Sequence, residues 1–119
     1  MPNALVYVAG VILVGWGAMH IAPTRAVADS FDASPQNRRI FVMEWVAEGI
    51  AHAGLGMLVV LVAAFATDGD TVYPVVAGIL VTLAVLTALT GSRTPVVWFK
   101  VCPVVLTSAA AFLVTASLL

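Results

Sequence analysis

Four long apolar stretches constrain the fold of this chain more than any other feature. They run from about Ala4 to Ala22, Ile40 to Thr67, Val72 to Gly91 and Pro95 to Leu119. Hydrophobic residues make up 62% of the 119 residues and charged residues only 9%, against roughly a quarter charged in soluble domains. A soluble protein of this composition would expose large apolar patches. The sequence therefore predicts a single domain, residues 1–119, that is embedded in a membrane.

The apolar stretches are predicted to be helices. Each is long enough to cross roughly 30 Å of hydrocarbon as a helix, and none alternates with the period of two that membrane β-barrels show. Backbone groups in lipid must find hydrogen-bond partners within their own segment, which helices provide. The first stretch has no basic region before it, so we expect a retained helix and not a cleaved signal. The predicted fold is an all-α, integral membrane four-helix up-down bundle.

The connections between the stretches differ in length. The first, PTRAVADSFDASPQNRR, is long and polar, and we expect a short amphipathic helix from Thr24 to Phe31 that is broken by Pro35. The second and third connections, DGD and SRTP, are tight turns. Such turns predict that the second, third and fourth spans are antiparallel neighbours.

All five basic residues lie on one side of the predicted bundle. The first connection carries three, the third carries one and the fourth span begins with one, in the order Arg25, Arg38, Arg39, Arg93 and Lys100. The positive-inside rule then places the first and third connections in the cytoplasm and both termini outside. We expect a multi-pass protein of the inner (plasma) membrane whose main partner is the lipid bilayer. No basic cluster indicates a nucleic-acid partner.

A row of ionisable side chains crosses the second stretch. Glu44, Glu48 and His52 are spaced four residues apart, so all three lie on one helical face. At about 1.5 Å per residue from Ile40, they lie roughly one, two and three turns inside the membrane. Ionisable groups in hydrocarbon are costly, and they usually face the bundle interior and mark a functional site.

Groups on two other spans are expected at similar depth. His20 lies near the cytoplasmic end of the first span, and Lys100 lies near the start of the fourth. We therefore predict that they converge with the row to form a polar pocket in the cytoplasmic half of the bundle. Trp16, Trp45 and Arg93 are further candidates for ligand contact.

The sequence is compatible with several kinds of chemistry in this pocket. His20, Glu44, Glu48 and His52 are candidate ligands of a divalent metal. Alternatively, Glu48 and His52 are candidate catalytic residues that move protons, either in coupling or in acid–base chemistry on an apolar ligand such as a quinone. The lone Cys102 excludes an intrachain disulfide and a multi-cysteine metal site, and we expect it to be an inert core residue.

The structural alternative is that these polar groups only specify packing. Glu44 could reach the interface or pair with Arg38, Arg39 or Lys100. Glu48 could pair with Lys100 or a histidine, and imidazoles near the membrane centre often bridge helices.

Glycines recur in the first two spans, at positions 10, 15 and 17 and at positions 49 and 56. Small residues let membrane helices approach closely. We expect them to serve packing within the chain, with a dimer face or space for a ligand as the alternatives.

Several features resemble the DoxX-like group of small four-span bacterial membrane proteins. They are the length, the sequence G-W-G-A-M-H at residues 15–20, the glutamates of the second span and the arginine in G-S-R-T-P at residues 91–95. The resemblance implies a four-helix bundle of a kind sometimes associated with membrane redox systems and quinones. It implies no particular catalytic residue.

Three classes of function follow, each with its own structural expectation. A protein that binds a small ligand, a quinone-like molecule or a metal should keep a pocket within one protomer, with Glu48 and His52 facing His20. A proton-coupled transporter acting as a homodimer should place Glu48 at a dimer interface or a water-filled cavity. An accessory or scaffold subunit of a larger membrane complex should pair each acid with an arginine or lysine and leave no cavity beside it. Small multidrug-resistance exporters, a family of the second class, carry their glutamate in the first span, where this chain has no carboxylate.

Overall fold

The structure is a computed structural model that describes residues 2–65 and 69–119. Within these residues it is helical and has no strand. The helices are α1 (Pro2–Ile21), α2 (Thr24–Asp29), α3 (Pro35–Phe65), α4 (Gly69–Leu89) and α5 (Val97–Leu118), and a 3₁₀ turn spans Gly91–Arg93. Four of them, α1, α3, α4 and α5, are long and apolar enough to cross a membrane. The prediction of an all-α chain with four such helices is confirmed.

The second long helix begins earlier than its apolar stretch does. α3 starts at Pro35 and not at Ile40, because proline lacks an N–H and suits the first turn of a helix. The hydroxyl of Ser34 accepts a hydrogen bond of 3.2 Å from the N–H of Asn37 in this first turn. Pro35 therefore opens α3 and does not break the short helix before it, which has already ended at Asp29. The predicted end of the stretch at Thr67 lies outside the described residues.

The long connection contains the expected short helix, which ends at Asp29 and not at Phe31. Asp29 accepts a hydrogen bond from the Arg38 side chain and lies 3.9 Å from Nε of Arg25. These exposed pairs are each worth ~0–1 kcal/mol. They nevertheless give Arg38 a partner other than Glu44.

The long helices do not pack equally on one another. α1 lies against α3 on one side and against α5 on another, and α4 packs mainly on α5. α3 and α4 touch over a short length only, although they follow each other in the chain. The expected close pairing of the third and fourth spans is present, whereas the second and third spans leave a loosely packed seam between them.

Glycines bring α1 and α3 into backbone contact. A Cβ atom on Gly17 would lie 2.5 Å from the carbonyl oxygen of Gly49, and one on Gly56 would lie 2.7 Å from that of Gly10. Because the later residue of α1 meets the earlier residue of α3, these two helices run in opposite directions. Gly15 faces away, with nothing within 4 Å of the position of its Cβ. Gly54 is equally open, so four of the six glycines of α1 and α3 serve packing within the chain.

Large apolar side chains are exposed along all four long helices. Val11, Ile50, Val85 and Val104 have between 52% and 70% of their surface exposed. This is the pattern of helices whose outer surface faces hydrocarbon and not water.

The glycine contact predicts a contrast between two neighbouring substitutions. Gly17→Ala should force α1 and α3 apart and destabilise the protein by about 1–3 kcal/mol, the usual cost of overpacking. Gly15→Ala adds the same methyl group to an open surface, and should be neutral or slightly stabilising because alanine is the better helix former. Thermal unfolding of the purified protein in mild detergent measures both, and equal midpoints for the two variants would contradict this packing.

Candidate functional site

His20 lies in the last turn of α1, held against α3 by Trp45. The two rings stack, with centroids 4.0 Å apart and an interplanar angle of 16°. The indole N–H of Trp45 also donates a hydrogen bond to the backbone carbonyl of His20. Carbonyls in the last turn of a helix lack a partner within it. One aromatic side chain thus fixes both the backbone and the ring of His20.

Further aromatic rings enclose this pair. The ring of Trp16 lies 6.1 Å from His20 and 6.1 Å from Trp98, and the ring of Phe99 lies 5.3 Å from Trp45. His20 is only 1% exposed as a result. Trp16 and Trp45, which the sequence offered as candidates for ligand contact, both pack against His20. Trp98 and Phe99, at the start of α5, were missed as site residues, since an aromatic pair at a span boundary is typical of an interfacial anchor.

The row on α3 meets His20 at its last two members, Glu48 and His52. Oε2 of Glu48 lies 3.5 Å from Nε2 of His20. The His52 ring makes an edge-on contact with the His20 ring, with centroids 5.8 Å apart. His52 is fully buried, and the Glu48 side chain is 32% exposed. Glu48 and His52 thus face His20 within one chain.

Cys102 of α5 lies beside the same groups. Ligand atoms of Glu48, His52 and Cys102 lie within 4.8 Å of one another, and Cys102 is fully buried. We call His20, Glu48, His52 and Cys102 the buried cluster. The inert role expected for Cys102 took no account of this neighbourhood. Its depth in the bundle is the sequence signal that could have indicated this position. Cys102 lies near the start of α5 and His20 near the end of α1, and these two helix ends are on the same side of the bundle.

Most polar atoms of the cluster have no hydrogen-bond partner in the described residues. Both ring nitrogens of His20 and both of His52 are buried without one, and so is Nε1 of Trp16. A neutral imidazole carries one donor and one acceptor. Each such group left unpaired costs about 1–3 kcal/mol. The cluster therefore offers unused donors and acceptors at a stability cost to the fold.

A cleft of about 460 Å³ opens beside the cluster, along the seam between α3 and α4. α3 contributes one wall and α4 most of the other. The lining residues are Glu44, Ala47, Glu48, Ala51, His52, Leu83, Leu86, Thr87, Thr90, Gly91 and Phe99. The cleft is mainly apolar, with its ionisable groups all on the α3 wall.

The remaining predicted residues occupy different places. Glu44 is exposed and lines the cleft. Lys100 and Arg93 are exposed, do not line this cleft, and form no ion pair among the residues that the structure describes. The expected convergence of Lys100 with the row is not observed. Its depth was inferred from the sequence, but α5 turns the neighbouring Phe99 and Cys102 inward instead, because successive helical residues point about 100° apart.

Three of the four predicted metal ligands come together. His20, Glu48 and His52 belong to the buried cluster, whereas Glu44 lies apart from it along the cleft wall. Neither glutamate is paired with a lysine or arginine within residues 2–65 and 69–119.

Comparison of the chain with family models, with curated proteins and with solved structures gives no match. The resemblance to DoxX-like proteins therefore stays a prediction. The interpretation of the site rests on its own geometry.

The unpaired nitrogens predict that function and stability oppose each other at His52. His52→Leu replaces an unsatisfied imidazole by an apolar side chain of similar size, so it should stabilise protein stripped of bound molecules and metals by about 1–3 kcal/mol. Thermal unfolding in detergent measures this. Leu106→Ala, a truncation in the fully buried core, is the opposing control and should destabilise by about 2–5 kcal/mol. A His52→Leu variant as unstable as this control would show that the imidazole is satisfied.

Proposed function

We propose that this chain is a four-helix membrane protein that binds a small amphipathic molecule in the cleft between α3 and α4. The observation that carries the proposal is the position of an apolar cleft directly beside buried imidazoles that have no hydrogen-bond partner. In this proposal the polar head of the ligand contacts Glu48 and His52, and its apolar body lies along α4.

The size and lining of the cleft favour a quinone-like molecule. A volume of about 460 Å³ lies within the range of roughly 300–1,000 Å³ that small-molecule sites occupy. The hydroxyls of Thr87 and Thr90 donate to carbonyls of their own helix, so their oxygens remain free to accept. A quinone carbonyl would accept from an imidazole N–H, and a quinol hydroxyl would donate to the Glu48 carboxylate. Glu48 and His52 are then placed to exchange protons with the head group.

The position of the cleft also supports entry from the bilayer. In the proposed up-down arrangement, with the basic connections in the cytoplasm and both termini outside, the seam opens sideways towards the acyl chains. An apolar molecule would enter from there without crossing water. Exposed Glu44 lies one turn from Glu48 towards the cytoplasmic end, where it can pass protons to solvent. The inner membrane remains the proposed location.

A transporter that acts as a homodimer is the second candidate. It is favoured by the partial exposure of Glu48 and by the loose seam, which a second copy could cover. A purely structural role as a scaffold has partial support, because Glu48 lies 3.5 Å from His20, the histidine pairing that such a role allows. Against it, neither Glu44 nor Glu48 is paired with a lysine or arginine in the described part of the chain, and a cleft lies beside both.

Filling the cleft tests the proposal. Leu83→Trp places a large ring in the cleft, whereas Val85→Trp places it on the exposed outer face of the same helix. We expect Leu83→Trp to weaken binding of a short-chain ubiquinol by at least tenfold, and Val85→Trp to leave it unchanged. Equilibrium dialysis with protein in lipid nanodiscs measures the affinity, and cross-linking of the same samples reports dimers.

Glu48→Gln removes the carboxylate that accepts from the quinol hydroxyl while keeping the shape of the side chain. It should weaken quinol binding more than quinone binding. Equal affinity of wild type and Leu83→Trp, or no binding to a folded wild type, would contradict the proposal. Cross-linking through α3 and α4 without ligand binding would favour the transporter.

A further inference from the structure

The buried cluster has the donor set of a metal site. Glu48 and His52 of α3 and Cys102 of α5 hold their ligand atoms within 4.8 Å of one another. Nε2 of His20, from α1, lies 3.5 Å from the Glu48 carboxylate. Zinc–ligand distances of about 2.0–2.3 Å place the donors of a tetrahedral site roughly 3.3–3.8 Å apart. The three donors of α3 and α5 thus need to contract by about 1 Å, within reach of side-chain rotation, and His20 of α1 adjoins them through its contact with Glu48.

The unpaired imidazoles are an independent observation that points to a ligand. His20 and His52 are 99% and 100% buried, and none of their four ring nitrogens has a hydrogen-bond partner in the described residues. A histidine that merely bridges helices would use at least one of them, and Nε2 of His20 does approach the Glu48 carboxylate at 3.5 Å, whereas neither nitrogen of His52 is hydrogen-bonded. A metal ion takes up the free lone pair of each neutral ring.

The charge of the buried cluster favours a divalent cation. A Glu48 carboxylate and a Cys102 thiolate together carry two negative charges, and two neutral imidazoles carry none. A divalent cation makes the whole site neutral, which matters because net charge is costly in hydrocarbon. No lysine or arginine among the described residues provides this balance for Glu48.

The donor types select the class of metal. Calcium and magnesium prefer oxygen donors alone, whereas a mixed set of thiolate, imidazole and carboxylate suits zinc and its neighbours among the transition metals. We propose that His20, Glu48, His52 and Cys102 bind one divalent transition-metal ion, such as Zn²⁺, within the helix bundle. Binding displaces the proton of the Cys102 thiol, which leaves through the cleft.

This inference deepens the proposed function and rests on it for the cleft through which the metal and its ligand enter. Glu48 is the one partly exposed donor and lines that cleft. An ion held there can exchange a protein donor or a water for the head of a bound molecule. With a metal bound, Glu48 and His52 would hold the ion, and the ion would supply the charge that polarises the head group in place of their direct contact with it.

Cobalt substitution tests the site directly. Wild-type protein is stripped with a chelator, returned to nanodiscs and titrated with Co²⁺ and with Zn²⁺. We expect one ion per chain by elemental mass spectrometry, d–d bands of a tetrahedral Co²⁺ complex and a thiolate-to-cobalt charge-transfer band. Zn²⁺ should displace Co²⁺ and abolish both signals.

Variants distinguish a specific metal site from adventitious metal uptake. Cys102→Ser, a substitution of similar size, should lose the charge-transfer band and bind at least tenfold more weakly, and His52→Gln should reduce binding by a similar factor. Asp70→Asn removes an exposed carboxylate at the start of α4 and should bind as the wild type does. Circular dichroism confirms that each variant is folded.

The outcomes for metal and organic ligand are distinguishable. Folded wild type that takes up no stoichiometric metal, or whose uptake is unchanged in Cys102→Ser and His52→Gln, overturns the metal site. If wild-type protein without a specific metal site still binds ubiquinol, the proposed function stands without the metal. Stoichiometric metal with the cobalt–sulfur band supports the inference, and ubiquinol binding that Leu83→Trp does not weaken would then count against the cleft alone.

Discussion

The backbone contact between α1 and α3 is the constraint on which the rest of the structure depends. Gly17 and Gly49 meet where no Cβ atom fits. His20 follows Gly17 by three residues, Glu48 precedes Gly49 by one and His52 follows it by three. The groups of the site are therefore anchored within one turn of this contact. A larger separation of the two helices would move the imidazole of α1 away from the carboxylate of α3.

The same contact explains where the cleft lies. α1 packs on α3 through its glycines and on α5 through another face, while α4 packs mainly on α5. α3 and α4 are left with a loose seam, and the polar row of α3 turns one edge towards α1 and the other towards this seam. His52 at one end of the row is therefore buried and desolvated, whereas Glu44 at the other end is exposed and accessible from outside the protein. Such a combination is typical of a ligand site and costly for a purely structural core.

The aromatic residues around His20 offset part of that cost. Trp45 stacks on the imidazole and binds the carbonyl behind it, and Trp16 closes the other side. These contacts fix the position of His20 without satisfying its nitrogens. The ring is held in place with its nitrogens free of hydrogen bonds among the described residues and with Nε2 3.5 Å from the Glu48 carboxylate.

The sequence by itself determined the four apolar helices, the shared face of Glu44, Glu48 and His52, and the small residues of α1 and α3 that permit close packing. Hydropathy, helical periodicity and side-chain size are local properties, and each can be read along one segment. Depth along a helix follows in the same way, which is why His20 was expected near the row.

Only the tertiary structure decided how each helix is rotated about its own axis and which neighbour it faces. Lys100 and Cys102 lie at similar depth on α5, two residues apart and so about 200° apart around the helix. Packing turned Cys102 inward and left Lys100 exposed. It likewise left the seam between α3 and α4 loose, although those helices are consecutive. Rotation and neighbour choice depend on contacts between distant segments, and no single segment carries that information.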